Sequence, residues 1–326
     1  MRKTALINSC YVCAAGAFGA FFRWLQNQSC FDTETGLLNP SALNYIVPLS
    51  ILAAAVLFYF LVGKLKKQSF ELPKDIFEVF NGTSILYPLA YMVIALLTLV
   101  GSIVTLVNCA GEQYAPVYRL IAGLAAITAV TFPVICSSRR RRYAPGIIGV
   151  FMCVPVAMFA AMLLLCYELN SSNPVIGSFW IEIITCCLCM LAFLFNAGFA
   201  FDKPEPHKSM FLTMFAAFMC FTTLADSRYI GLQIIYLGSA GMLVTELWMI
   251  ISNMREPAKA ESAPEGKTED SPEDKVEDES DAEKVQVIEP GNPEDKPEPT
   301  IQAPERKPKK PVDIDAVLDD CKKYIE

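Results

Sequence analysis

The chain has 326 residues, 53% of them hydrophobic, with a mean hydropathy of +0.37, which excludes an ordinary soluble domain. Residues 1–254 hold 15 Lys/Arg against 12 Asp/Glu, a formal +3, and the remainder holds 12 against 22, a formal −10. The net −7 therefore belongs to an appendage, and no broad basic face with interleaved aromatics is present to bind nucleic acid.

A helix crosses a bilayer core with about 20 apolar residues, and a continuous apolar run has no other means of pairing its backbone there. Eight stretches meet or approach that length: 4–22, 43–63, 86–108, 115–136, 146–167, 176–200, 209–225 and 230–251. The expected fold class is all-α: a polytopic transmembrane helix bundle of about eight spans over residues 1–253.

The first stretch, "MRKTALINSCYVCAAGAFGA", has the basic start and apolar run of a signal peptide. It is expected to be retained, because it fits the loop-charge alternation described below. Gly16, Gly19 and Ala20 suit a close helix contact. Between the second and third spans, "LPKDIFEVFNG" carries Pro73 and Asp75 at a helix start and Asn81-Gly82 at its stop. With Ile76, Phe77 and Phe80 on one face, it is read as a short helix on the cytoplasmic membrane surface. The last two spans are joined only by "DSRY" and should form a tight hairpin. Helices 1–4 and 5–8 share an orientation, which admits a parallel duplication, although little identity accompanies it.

The connections alternate in charge. Lys64, Lys66, Lys67 and Lys74 fill the second, Arg139, Arg140, Arg141 and Arg142 the fourth, and Lys203 and Lys208 the sixth. The first and seventh have only Arg23 and Arg228, the third has none before Arg119, and the fifth has none. By the positive-inside rule the even-numbered loops and both termini are cytoplasmic in a cell (plasma) membrane. Lys64, Lys66, Lys67 and Arg139–Arg142 are thus topology determinants, meeting anionic headgroups at about 1 kcal/mol per residue.

Residues 254–311 lack Phe, Tyr, Trp, His and Cys and are rich in Pro, Glu and Lys, a composition that cannot repay the entropy of ordering. They read as a disordered acidic cytoplasmic linker. The pattern changes at "VDIDAVLDDCKKYIE", residues 312–326, where Ile314, Val317, Leu318, Cys321 and Ile325 fall on one helical face. This short amphipathic helix is a candidate docking element for a cytosolic protein, with Ile314, Val317, Leu318 and Ile325 as its face.

Two acids lie within spans and are the candidate intramembrane sites, Glu182 and Glu246. Each has a tryptophan two residues away, Trp180 or Trp248, which favours interfacial carboxylates; the sharper alternative is a proton or cation site facing the bundle. Pro48, Pro88, Pro133 and Pro155 could mark interrupted transporter helices, though proline is common in membrane spans. Asn108 and Asn196 suit bonds between helices, and the glycines of "GSAG" at 238–241 suit helix contact. Cys30 and Cys109 fall in neighbouring outer loops, with Cys166 at an outer helix end, and a Cys30–Cys109 disulfide is a candidate.

Catalytic and cofactor motifs are missing from the sequence. There is no HExxH, no pair of intramembrane aspartates, no Gly-Lys phosphate loop, and no histidine within a span. "CCLC" at 186–189 has the wrong spacing for zinc, and His207, the only histidine, is remote. Neither enzyme activity nor a metal or cofactor is expected. "FDTETGLLNP" and "NAGFAFDKPEPHKSMF" resemble segments of uncharacterised bacterial polytopic membrane proteins. That resemblance spans roughly the membrane body and implies multi-pass architecture, with no activity or site residue attached. The expected partners are the lipid bilayer and a cytosolic protein at the C-terminal helix. The leading expectation is a non-enzymatic membrane scaffold or regulator, and the second a secondary transporter or lipid-handling protein using Glu182 or Glu246.

Overall fold

A computed structural model describes residues 2–31, 39, 41–67, 76–80, 86–137, 144–171 and 175–254. Arg139–Arg142, the 254–311 linker beyond its first residue, and the 312–326 helix with Ile314, Val317, Leu318 and Ile325 lie outside the described residues.

The described residues form helices and no β-strand. In chain order they are α1 (Arg2–Ser29), α2 (Ile46–Lys67), α3 (Ile76–Val79), α4 (Leu86–Asn108), α5 (Ala115–Ser137), α6 (Pro145–Asn170), α7 (Trp180–Ala197), α8 (Pro206–Thr223) and α9 (Ile230–Ser252). Each of the eight apolar stretches overlaps one of the long helices. Six of these, α1, α2, α4, α6, α7 with its 3-10 extension, and α9, are long and apolar enough to cross a membrane. The body is that of a membrane protein.

The bundle is arranged around α9, which packs on α4, α8 and α1, while α4, α5, α6, α7 and α8 follow one another around it. Burial reflects this order: 72% of α9's apolar window is inside the protein against 22% for α2, which leans on α1 and α8 at the edge. In lipid, helices gain little from burying apolar area, so close backbone approach carries the association. Glycines supply that approach. A Cβ on Gly16 would meet Phe221, and one on Gly19 would meet Thr222 and Phe218, so α1 sits tightly on α8. On the α4–α9 seam, Gly231 faces Thr105, Gly238 faces Thr98, Gly241 faces Ile94, and Gly101 faces Ile235.

Several expectations change. α1 continues past residue 22 to Ser29, because Arg23 and Gln26 find partners inside the protein and need no water. The segment 176–200 divides into a 3-10 turn (Ile176–Ser178), α7, and a second 3-10 turn (Gly198–Phe201). Pro48 and Pro88 each stand in the first turn of their helix, where no backbone donor is required. α5 and α6 remain helical through Pro133 and Pro155. The short helix after α2 does form, but its apolar face is turned into the protein. Ile76, Val79 and Phe80 are buried, Phe80 meets Phe199 edge-to-face at 6.3 Å, and Asn253 Nδ2 donates to Val79 O at 2.6 Å. This contact ties α3 to the end of α9.

Candidate functional site

The loops at one end of the bundle bring together charged groups from distant parts of the chain. Arg23, on the last turns of α1, is 1% exposed, and its Nε donates to Asp226 Oδ1 at 2.6 Å. Its other nitrogens are occupied too: Nη1 donates to Gln26 Oε1 at 2.8 Å and Gly177 O at 3.3 Å, and Nη2 to Ser178 O at 2.9 Å. Asp226, in the α8–α9 turn, also accepts from Asn27 Nδ2 at 3.2 Å and, through Oδ2, from Arg228 Nη2 at 2.9 Å. Arg228 Nε reaches Glu182 Oε2 at 3.1 Å, and its guanidinium carbon lies 5.3 Å from the centre of the Tyr236 ring. Tyr236 in turn donates to Glu182 Oε1 at 3.3 Å and lies 3.2 Å from Cys186 Sγ.

This is a closed set of two guanidiniums and two carboxylates with Asp226 bridging the arginines. Burial works against the Arg228 charge, but Tyr236, Glu182 and Asp226 outweigh it and raise the pKa above its ordinary value. The guanidinium therefore stays ionised. Fixed charges of both signs, held by buried hydrogen bonds, make a rigid wall rather than a mobile surface.

The set borders a cavity of about 780 Å³. Helix ends that converge there supply the remaining walls: Tyr118 from α5, Leu165 and Asn170 from α6, Phe179 before α7, and Leu232 from α9. Gly111, at φ 93°, turns the chain out of α4 and leaves the exposed Glu112 on the cavity lining. The nearby Glu112 carboxylate raises the pKa of the Tyr229 phenol.

The two acids expected to be alike part company. Glu182 occupies the first turn of α7 and lines the cavity. Glu246 does not line it and is fully buried in α9, where Asn196 Nδ2 donates to its Oε2 at 2.6 Å. Asn196 Oδ1 accepts from Ser209 and, at 3.3 Å, from Thr213, so α7, α8 and α9 are tied at one point. Glu246 thus faces the interior of the bundle. Of the topology residues, Lys64, Lys66 and Lys67 are exposed on the last turn of α2.

Cys30 and Cys109 are buried free thiols, which overturns the proposed disulfide. Each stays at its own helix end: Cys30 N bonds back to Gln26 O, and Cys109 Sγ donates to Leu106 O at 3.2 Å. Cys166 lines the cavity, also as a free thiol.

The residues that sequence reasoning passed over are Arg23, Asp226 and Arg228. The two arginines count there only as the sparse charges of the cation-poor loops, and Asp226 only as part of the connection "DSRY". Their signal was that same sparseness, since a lone arginine at a span end has few reasons to be there. Comparison of the chain with family models, with curated proteins and with solved structures returns no match.

Proposed function

We propose that the chain is an eight-span protein of the cell membrane, with both termini cytoplasmic, that holds a small molecule at the outer end of its bundle. This is the work of a secondary transporter or lipid-handling protein. One observation carries the reading: a cavity of about 780 Å³ whose wall is a fixed constellation of Arg23, Asp226, Arg228 and Glu182. Small-molecule sites typically occupy about 300–1,000 Å³, mostly apolar, with a few convergent polar groups. A pure scaffold has no need of such a wall. The outward orientation is supported by charge: the opposite end carries Lys64, Lys66 and Lys67, whereas Arg23 and Arg228 at the cavity end are spent in ion pairs. No catalytic step belongs to the proposal.

The docking reading of residues 312–326 keeps its own support in the spacing of Ile314, Val317, Leu318 and Ile325, and the two roles are compatible.

Native mass spectrometry of full-length, Asn170→Trp and 312–326-deleted proteins tests both readings. A small molecule is expected to accompany the full-length and deleted forms and to be depleted when an indole side chain intrudes on the cavity lining. A copurifying protein is expected to disappear only with the deletion. Equal small-molecule occupancy in wild type and Asn170→Trp would overturn the cavity reading.

A further inference from the structure

The charges on the cavity lining do not cancel. Arg23 and Arg228 are outnumbered there by three carboxylates, Asp226, Glu182 and Glu112, a formal −1. Asp226 and Glu182 are paired with the arginines, whereas Glu112 makes no ion pair among the described residues. It is exposed, and it follows Gly111 in the turn between α4 and α5. Arg119 and Glu168, opposite charges on the end turns of α5 and α6, are exposed and do not line the cavity.

The hydrogen-bond donors of the lining are turned toward the protein. Arg23 gives all its side-chain nitrogens to protein acceptors, and Arg228 gives Nε and Nη2, with Nη1 buried. The amides do the same. Asn27 Nδ2 donates to Ala225 O at 3.1 Å, Asn170 Nδ2 to Cys166 O at 2.8 Å, and Gln233 Nε2 to Asp226 O at 2.9 Å. A ligand that needs these donors finds them spent, whereas one that brings its own meets the Glu112 carboxylate. Aromatic rings stand beside it. Tyr118 and Tyr229 pack edge-to-face with centres 5.1 Å apart, and both line the cavity with Phe31 and Phe179. Such rings attract a cation through their quadrupole.

We infer, building on the cavity reading above, that the occupant is an organic monocation. Its ammonium sits against Glu112 and the Tyr118–Tyr229 pair, with its hydrocarbon toward Phe179, Leu165 and Leu232. One positive charge balances the lining, and its N–H groups supply the donors that the wall keeps for itself. A free amine and the ammonium headgroup of phosphatidylethanolamine share that chemistry.

The test uses the full-length protein in dodecyl maltoside, an uncharged detergent, with equilibrium binding of three ligands of similar shape. These are phenethylamine, an ammonium at neutral pH, phenethyl alcohol, and phenylacetate. The ammonium is expected to bind about tenfold tighter than the alcohol, the combined scale of a water-screened ion pair and a cation–π contact. Phenylacetate should bind no tighter than the alcohol. Glu112→Gln should remove most of the ammonium preference and leave alcohol binding unchanged. Glu168→Gln alters the net charge equally but off the lining, and should leave the preference intact. Displacement of phenethylamine by added phosphatidylethanolamine would identify a lipid headgroup as the source, and its persistence would identify a free amine. The inference is overturned if the ammonium binds no tighter than the alcohol, or if its preference survives undiminished in folded Glu112→Gln. Should Glu112→Gln not fold, an ammonium preference that persists in Asn170→Trp overturns it instead. Alcohol binding that is lost in Asn170→Trp, without any ammonium preference in the wild type, would leave the cavity reading standing and this inference refuted.

Discussion

Asp226→Leu is expected to cost about 3–5 kcal/mol of stability, the usual penalty for removing one partner of a buried ion pair. Asp226 neutralises Arg23 through Oδ1 and Arg228 through Oδ2, and at 6% exposure it has little access to screening water. Its loss strands the Arg23 charge, which is 1% exposed and has only neutral acceptors besides. Arg228 would keep Glu182. Thermal unfolding in detergent, followed by loss of the monodisperse species, measures the effect. Glu182→Gln should be milder, since Arg228 then retains Asp226. Partial recovery is expected in Arg23→Met/Asp226→Leu, where one buried charge of each sign leaves together. An Asp226→Leu protein that unfolds at the wild-type temperature would show that the bridge contributes nothing.

Gly231→Ala is the second large effect. A Cβ there would stand 2.6 Å from Thr105 N and 2.9 Å from Thr105 Cα, backbone atoms that cannot turn aside as a side chain can. α4 and α9 must separate, and overpacking of this kind costs about 1–3 kcal/mol. The lost contacts lie on the seam that positions α9, so the cavity wall at Leu232 should loosen with them. Gly123→Ala is the control: a Cβ there has nothing within 4 Å, and alanine improves helix propensity by up to about 1 kcal/mol. The same unfolding assay should rank Gly123→Ala at or above wild type and Gly231→Ala clearly below it.

Hydropathy made the helices legible because each long span is a local property of about twenty residues. The site was hidden for the opposite reason. Arg23 and Asp226 are 203 residues apart, and nothing local to either states that α1 packs on α8. The direction in which Glu246 faces could not be read from its depth in the span. Trp248 is two positions on, about 200° around the helix, so it can meet Tyr87 while Glu246 points to Asn196. The small-residue faces were legible as contacts, Gly16 and Gly19 in α1 and Gly238 and Gly241 in α9, but not their partners. The α3 face was read correctly as apolar and assigned to lipid, because the sequence does not show that Phe199 lies beside it.

Everything proposed about the site depends on the cavity end of an eight-span bundle facing outward. Topology reporters fused after Ala110, Asn170 and Ser227, all in connections at that end, should be active only outside the membrane. Fusions after Phe70, Arg140 and Glu205 should be active only inside. A reversal at Asn170 or Ser227, with the others unchanged or also reversed, would contradict the account.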